Sequence, residues 1–470
     1  MRFSTRILAA VVATGLLAAG CSRAAGTTST SPPGQATSSG TASGASIGTL
    51  ADVCHGGNAS GATDQGVTSS SISLGVLTDE GFTKDPQLVN AADVFTKWCN
   101  ASGGIDGRKL VADIHQTDLM AVTSAETAAC SDDFAEVGGS AALDGLGVDT
   151  RLKCLLPDFD AQEVMPQNAA AGLQFSPVDY NFVYAPYAGY YQWLLDKYPD
   201  SKDHTAVVYG QAVVTTTDDQ MVNATIEDLG GGTPLAISFP ATGVTNWTPY
   251  AEQIKSRGIK GFTYFGVPAD LVPIEQALDD IGYKVDWIDT DPDAYGTSFI
   301  TSAGSTLSQE PNYADLSGVW PLEKASSSPV LTKMQQLYQE YAPGQPITLQ
   351  AEQAWSMWLL FAVSAETCGS GLTRACVYDA ALKQASWTGG GITSPENESA
   401  QDSPPNCFNV EQATTSGWQP ASGFTPNTDG VFECGGVQAF KLGPSFVTGT
   451  QLSAVGQSLT NLKLPTPGAE

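Results

Sequence analysis

The chain has 470 residues, of which 42% are hydrophobic and 9% aromatic, so it is long enough to fold into two or three domains with sizeable cores. It carries 21 Lys and Arg residues against 49 Asp and Glu residues, and a formal net charge of −28 excludes a nucleic acid partner for the folded body, because phosphate backbones would be repelled. After the first twenty residues, no apolar run approaches the length of about 18 residues that a membrane-spanning helix needs.

The first segment, residues 1–20, has the pattern of a secretory signal peptide. Arg2 and Arg6 give it a basic start, and residues 7–19 are apolar but too short to span a bilayer. The small residues before Cys21 resemble a bacterial lipobox, although Ala18 stands where Leu, Val or Ile is commoner. The resemblance implies cleavage before Cys21 and acylation of its thiol, for example by palmitate. Since two acyl chains anchor a protein stably, we expect lipid anchoring at the extracytoplasmic face of the bacterial cell membrane. The alternative is an ordinary signal peptide followed by a chance cysteine.

Residues 21–65 are expected to form a flexible tether. Up to about residue 50 they are almost all Ser, Thr, Gly, Ala and Pro, which cannot bury enough apolar surface to order themselves.

The chain contains nine cysteines, and eight remain if Cys21 carries the lipid. Eight is an even number, so in an oxidising compartment these cysteines can pair completely as four disulfides. Spacing favours the two local pairs Cys368–Cys376 and Cys407–Cys434. Cys130 and Cys154 flank residues 137–152 and are the third pair, which leaves Cys54 and Cys99 by elimination. The connectivity of the third and fourth pairs stays open. The expected disulfides are Cys368–Cys376, Cys407–Cys434, Cys130–Cys154 and Cys54–Cys99.

From residue 66 onward the pattern alternates between strands and helices. Strand-like runs are predicted at residues 72–77, 109–114, 134–137, 154–156, 205–209, 235–239, 261–265 and 285–288. Helices are predicted at residues 88–99, 186–198, 218–229, 247–257, 272–281 and 351–365. This alternation predicts parallel sheets covered by helices on both faces, and the length requires two such sheets.

The stretch from Asn100 to Leu110 (NASGGIDGRKL), between a strand–helix unit and a second strand, resembles the opening of branched-chain amino-acid-binding proteins. That family has the type I periplasmic binding protein fold and serves ABC importers. The resemblance continues in order over about residues 65–440. It implies an α/β fold of two lobes, each a parallel sheet with helices on both faces, joined by three hinge crossovers. The alternative is an unrelated α/β enzyme in which strands and helices merely alternate along the sequence.

The resemblance implies that each lobe is discontinuous in sequence. Lobe 1 is expected to contain residues 66–186 and 324–392, and lobe 2 residues 187–323 and 393–470. The crossings are placed near residues 184–187, 318–323 and 389–395, where Pro186, Pro321 and Pro395 fit hinge segments. Closure of the lobes on a solute is then the signal that a permease detects.

The sequence contains no recognisable group of catalytic residues that would favour an enzyme instead. Three scattered histidines give neither a nucleophile–base pair nor the spacing of a zinc site, so no enzyme activity, no cofactor and no metal are expected. The expected protein is a monomer whose partners are a small-molecule solute, an ABC permease and, through Cys21, the membrane. A lipid-anchored sensor on the same fold is the alternative function.

The solute is expected between the lobes at the carboxyl ends of the strands. Relatives that bind amino acids hold the carboxylate on lobe 1 and the ammonium on an acid of lobe 2. Here Ala142 offers no hydroxyl, and the nearby Asp side chains would repel a carboxylate. We therefore expect a neutral polyol, an amide or a cationic amine. The family resemblance implies the candidate ligand-binding residues, which are Thr78, Asp79, Phe82, Ala141, Ala142, Asp158, Phe159, Asp160, Val214, Pro268, Asp291 and Tyr295.

Overall fold

The computed structural model describes residues 45–178, 180–437 and 439–462. The expected signal peptide and Cys21 lie outside these residues. Within the described part of the chain, no helix is both long enough and apolar enough to cross a membrane.

The tether predicted for residues 21–65 is corrected from residue 45 onward. Residues 45–54 form an antiparallel hairpin of β1 (Ala45–Ile47) and β2 (Leu50–Cys54). Ile47 and Val53 are buried in the same core as the first lobe, and Cys54 is tied to Cys99. In β1, Ala45 and Ile47 are buried on either side of the exposed Ser46, so one face of this strand is covered, which a composition argument overlooked.

The first lobe is built on a parallel sheet in the order β4-β3-β5-β6-β7. The predicted strand at residues 154–156 is wrong. Leu155 has a φ of 56°, which breaks an extended run, and the strand begins at Asp158 instead. The elements are β3 (Ser71–Thr78), α1 (Glu80–Thr83), α2 (Gln87–Ala101), β4 (Lys109–Gln116), α3 (Val122–Asp132), β5 (Ala135–Val137), α4 (Val148–Lys153), β6 (Asp158–Phe159) and β7 (Gln174–Phe175).

The second lobe contains a seven-stranded sheet whose first five strands in sequence are parallel. Its core forms where apolar residues of these strands meet the covering helices. The elements are α5 (Ala188–Lys197), β8 (Thr205–Gly210), α6 (Val213–Asp228), β9 (Leu235–Phe239), α7 (Thr248–Ser256), β10 (Gly261–Phe265), α8 (Pro268–Asp280), β11 (Trp287–Asp289), α9 (Thr297–Ala303) and β12 (Asn312–Asp315).

The chain then returns to the first lobe through α10 (Pro329–Tyr341), α11 (Leu349–Cys368) and α12 (Arg374–Ala381). Helix α11 is buried on nearly every face, because Trp355 and Trp358 pack on Phe95 of α2 with ring centroids 5.2 and 5.3 Å apart. The last strands are β13 (Cys407–Phe408), β14 (Val410–Thr414), β15 (Gly417–Pro420) and β16 (Glu433–Cys434). Strands β14 and β15 extend the sheet of the second lobe in antiparallel fashion beside β12.

The segments that join the lobes run side by side. The backbone N–H of Trp320 donates to the carbonyl of Ile392 at 2.8 Å, which pairs two of the expected crossings. The first crossing is paired with a later segment of the chain, since Ala185 donates to the carbonyl of Phe440. The expected assignment of all of residues 393–470 to lobe 2 is therefore corrected. Leu452 and Leu462 pack with Val148 and Leu152 of the first lobe, because these apolar side chains share one small core.

The cysteines between residues 45 and 462 that the structure describes form four disulfides, and these join the same pairs that spacing and elimination favoured. Two close short local segments, and one links the N-terminal hairpin to α2. The pairs are Cys54–Cys99, Cys130–Cys154, Cys368–Cys376 and Cys407–Cys434.

Candidate functional site

A cleft of about 1070 Å³ opens between the two lobes. Its walls are the loops that follow β3 and β5 in the first lobe and β8, β10 and β11 in the second. The start of α11 and the turn between β14 and β15 complete it. Parallel sheets place the carboxyl ends of their strands at one edge, which explains why these loops converge on the cleft.

The structure places most of the candidate residues in the wall of this cleft. The ones that line it are Thr78, Asp79, Ala141, Ala142, Val214, Pro268, Asp291 and Tyr295.

The other four candidates lie outside the lining, and their placement at the site is corrected. Phe82 is 62% exposed on α1. Phe159 is fully buried, with its ring centroid 5.0 Å from that of Phe175. Asp158 and Asp160 point into the lobe, where Asp158 lies 3.6 Å from Arg151 Nε and Asp160 accepts a 2.8 Å hydrogen bond from the side chain of Asn168. A buried guanidinium and amide draw these carboxylates inward, and sequence spacing did not reveal those partners.

Several residues that line the cleft were missed by the sequence analysis. Some directly follow candidate residues in the sequence, and this proximity was the only indication that they line the cleft. Others come from α11 or from the segment before the first crossing, which is remote in sequence. The polar and aromatic members of this group are Gln162, Glu163, Tyr180, Tyr187, Asp218, Glu323, Gln350, Gln353 and Trp418.

The first-lobe wall is organised around Asp79, which is 8% exposed. Its carboxylate accepts hydrogen bonds from the backbone N–H of Ala142 at 2.7 Å, from that of Leu119 at 2.9 Å, and from the hydroxyl of Thr117. Nearby, the Ser140 hydroxyl donates to the carbonyl of Gln162 at 2.7 Å. These donors are thus satisfied within the protein.

The second-lobe wall presents carboxyl groups from α6 and from the loop after β11. Asp291 has φ 65° and ψ 146°, a conformation that L residues rarely adopt, and its side chain accepts from the backbone N–H of Asp293 at 3.1 Å. Burial raises the pKa of Asp291 well above its ordinary range, and the neighbouring charge of Asp293 raises it further. Burial also raises the pKa of the half-buried Asp218 carboxyl to about 7.

Two polar contacts span the cleft. Gln350 of α11 donates its side-chain N–H to Asp293 Oδ1 at 3.0 Å, which joins the first lobe to the second. The Tyr180 hydroxyl lies 3.5 Å from Asp218 Oδ1. These contacts link the start of α11 and the first hinge segment to the acids of the second lobe.

A carboxyl cluster closes the cleft at the hinge. The Tyr295 hydroxyl donates to Glu323 Oε2 at 2.5 Å and accepts from the backbone N–H of Leu322 at 2.7 Å. Burial, with Glu323 beside it, raises the pKa of Glu411 to about 11. Glu411 is therefore protonated at neutral pH and can share that proton with Glu323.

The lining of the cleft is acidic. Among its described lining residues there is no Lys, Arg or His. Tyr and Trp side chains line the same space, and aromatic π faces attract cations. The lining carboxyl groups are those of Asp79, Asp85, Glu163, Asp218, Asp291, Asp293 and Glu323.

The described residues also bring together Asp113, His115 and Asp133, whose donor atoms all lie within 4.8 Å of one another. His115 Nε2 is 2.6 Å from Asp133 Oδ2, and this hydrogen bond raises the pKa of His115. The other Asp133 oxygen accepts from the Ser73 hydroxyl at 2.7 Å. Because both Asp133 oxygens already have partners, we interpret the group as a buried, hydrogen-bonded histidine–carboxylate pair.

Comparison with known proteins places this architecture. A family model described as periplasmic binding protein matches residues 72–416. A fatty acid ABC transporter substrate-binding protein from Thermomonospora curvata superposes with a TM-score of 0.64 at 17% identity, covering 84% of this chain and 99% of that one. A leucine-binding protein from Thermotoga maritima gives 0.59 at 13% identity, with 75% and 98% covered. A substrate-binding protein from Desulfitobacterium hafniense in complex with Leu gives 0.55 at 12% identity, with 75% and 100% covered. A comparison with curated protein sequences finds no match.

Proposed function

Because this chain belongs to the periplasmic binding protein family, whose members act as binding proteins and not as enzymes, we propose that it is an extracytoplasmic, lipid-anchored solute-binding protein. It captures a small polar solute between its two hinged lobes and delivers it to the permease of an ABC importer. Among the solutes that the sequence favours, a cationic amine suits the cleft best, ahead of an amide or a polyol.

The observation that carries the choice of solute is the acidic lining. The described lining residues offer carboxyl groups on both walls and no cationic side chain. In a cleft of low dielectric, a bound cation stabilises the ionised form of these carboxyl groups and a bound anion does not, because Coulomb energies are larger there than in water. Tyr187 and Trp418 add aromatic faces on which an ammonium group can rest.

The ligands in the names of the similar structures are leucine and fatty acids, both of which carry a carboxylate. Such a group would find no Lys, Arg or His among the described lining residues here. The apolar lining residues, such as Leu88, Val178 and Ile347, nevertheless leave room for an aliphatic chain. An aliphatic amine or polyamine therefore fits the cleft better than a fatty acid.

A thermal-shift panel tests the choice of solute. Putrescine, spermidine, choline and sorbitol are compared with leucine and a fatty acid, and a solute at 100 times its dissociation constant stabilises the fold by about 2.7 kcal/mol. We expect amines to raise the melting temperature. Asp291→Asn should weaken that response, whereas Asp149→Asn, the same substitution on the exposed face of α4, should leave it intact. A response to leucine or the fatty acid alone would contradict the proposal.

The anchor is tested separately, because it rests on the segment before Cys21. Cys21→Ser removes the only proposed acylation site, so we expect a soluble, folded protein in place of a membrane-bound one. Recovery of that variant in washed membranes would contradict the anchor. Delivery to a permease, as opposed to sensing, predicts that solute uptake by cells is lost when the gene is deleted and that a signalling response is not.

A further inference from the structure

One carboxylate of the cleft wall is bound by the protein as a ligand would be. Asp79 Oδ2 accepts from the backbone N–H of Ala142 at 2.7 Å, in the loop after β5. Asp79 Oδ1 accepts from the backbone N–H of Leu119 and from the Thr117 hydroxyl, in the loop after β4. Backbone N–H groups from two loops thus converge on one anionic group. Such a set of convergent donors is a general means of binding anions.

The loop that supplies the second N–H is held in an unusual conformation for this contact. Asp118 and Leu119 have φ values of 46° and 67°, and neither is glycine. Positive φ at non-glycine residues persists only where surrounding contacts enforce it. The hydrogen bond from Leu119 to Asp79 is such a contact, so the loop geometry and the carboxylate position depend on each other.

We propose that Asp79 determines specificity by acting as an internal substitute for a solute carboxylate. Its side chain fills the donor set that would otherwise hold an acidic group, so the cleft admits amines that lack a carboxylate and rejects amino acids. This inference rests on the proposed function in one respect, namely that the solute is an amine. The occupied donor set itself is a property of the empty protein and can be tested without any solute.

Two further contacts support the assignment. The Ser140 hydroxyl, also in the cleft wall, is committed to the Gln162 carbonyl. The Thr83 hydroxyl donates to the backbone carbonyl of Asp79 at 3.2 Å. An incoming carboxylate would therefore meet the Asp79 charge with the Ser140 and Thr83 hydroxyls already engaged, and like charges at close range in a cleft are unfavourable.

The first test empties the donor set. In Asp79→Ala the two N–H groups and the Thr117 hydroxyl lose their acceptor, and formate is the probe that replaces it. We expect millimolar formate to raise the melting temperature of Asp79→Ala by several degrees relative to chloride at equal ionic strength, and to leave the wild-type protein unchanged. Asp85→Asn removes a carboxylate from the same cleft lining but opens no such donor set, so it should not respond to formate. Equal responses of Asp79→Ala and Asp85→Asn, or none from Asp79→Ala, would overturn the proposal.

The second test uses the folded wild-type protein and stays decisive if Asp79→Ala does not fold. Cadaverine and lysine differ by one carboxylate, and we expect cadaverine to bind at least tenfold more tightly. Equal or tighter binding of lysine would overturn the role of Asp79 while leaving amine capture intact. If neither compound binds and formate still stabilises Asp79→Ala, the proposed amine solute fails and the internal carboxylate stands.

Discussion

The cleft acids predict that capture of a cationic solute strengthens as pH rises, and Asp218 allows the size of the effect to be worked out. Its pKa is about 7 because burial disfavours the charged form. Below that pH the carboxyl is mostly neutral and attracts a cation weakly. If a monocation contacts only the ionised form, its affinity follows the ionised fraction. Between about pH 5 and pH 8 that fraction grows about 90-fold, equivalent to about 2.7 kcal/mol.

Isothermal titration of the best amine from the solute panel, at closely spaced pH values, measures this dependence. Wild-type affinity should rise with pH, and binding near pH 6 should release protons to the buffer. In Asp218→Asn the amide does not titrate, so the pH dependence should flatten by the contribution of that group. Asp149→Asn should keep the wild-type profile, because Asp149 is exposed on α4.

The sign of the effect is fixed by the direction of the pKa shift. In the empty protein, the stability that Asp218 contributes is present below its ordinary pKa and is lost as pH rises through about 7, so Asp218→Asn should gain stability relative to wild type at alkaline pH. An amine affinity that falls with rising pH, or an unchanged pH profile in Asp218→Asn, would refute the reasoning.

Three further predictions concern stability. Replacing Cys54 and Cys99 by Ser opens a bridge between residues 45 apart in sequence and should cost about 4 kcal/mol in urea unfolding. Phe159→Ala in the first-lobe core should cost about 3–5 kcal/mol and leave solute affinity unchanged, which would be contradicted by selective loss of binding. Burial raises the pKa of Glu275 to about 7, so stability is lost as pH rises through that value. Glu275→Gln should be more stable than wild type at pH 8 by up to about 3 kcal/mol and equal to it near pH 4, and a constant difference would contradict this.

The motif at residues 100–110, on which the family resemblance rests, determines the conformation of the backbone and is not a ligand-binding motif. Gly103 and Gly104 have φ values of 121° and 87°, and a Cβ on either would lie about 2 Å from a backbone atom of Gly56 or Arg108. Arg108 is fully buried and donates to the carbonyls of Thr68 and Gly369. Short-range geometry of this kind is visible in sequence, which is why the α/β fold with two lobes was predicted correctly.

The cleft was less predictable, because its lining depends on contacts between distant segments. The family resemblance assigned Asp158 and Asp160 to the cleft, after a strand predicted at residues 154–156. The strand begins at Asp158 instead, and Arg151 and Asn168 draw the two side chains into the lobe. Gln350 reaches Asp293 from a position 57 residues further along the chain. Only the folded structure shows such pairs.

We propose that the acidic cleft holds a cationic solute that lacks a carboxylate. Native mass spectrometry can identify the bound solute after incubation with an equimolar mixture of amines, polyols, amino acids and fatty acids. We expect a bound mass that matches an amine and that is lost in Asp291→Asn but not in Asp149→Asn. A bound leucine or fatty acid, or no bound compound from the whole mixture, would contradict it.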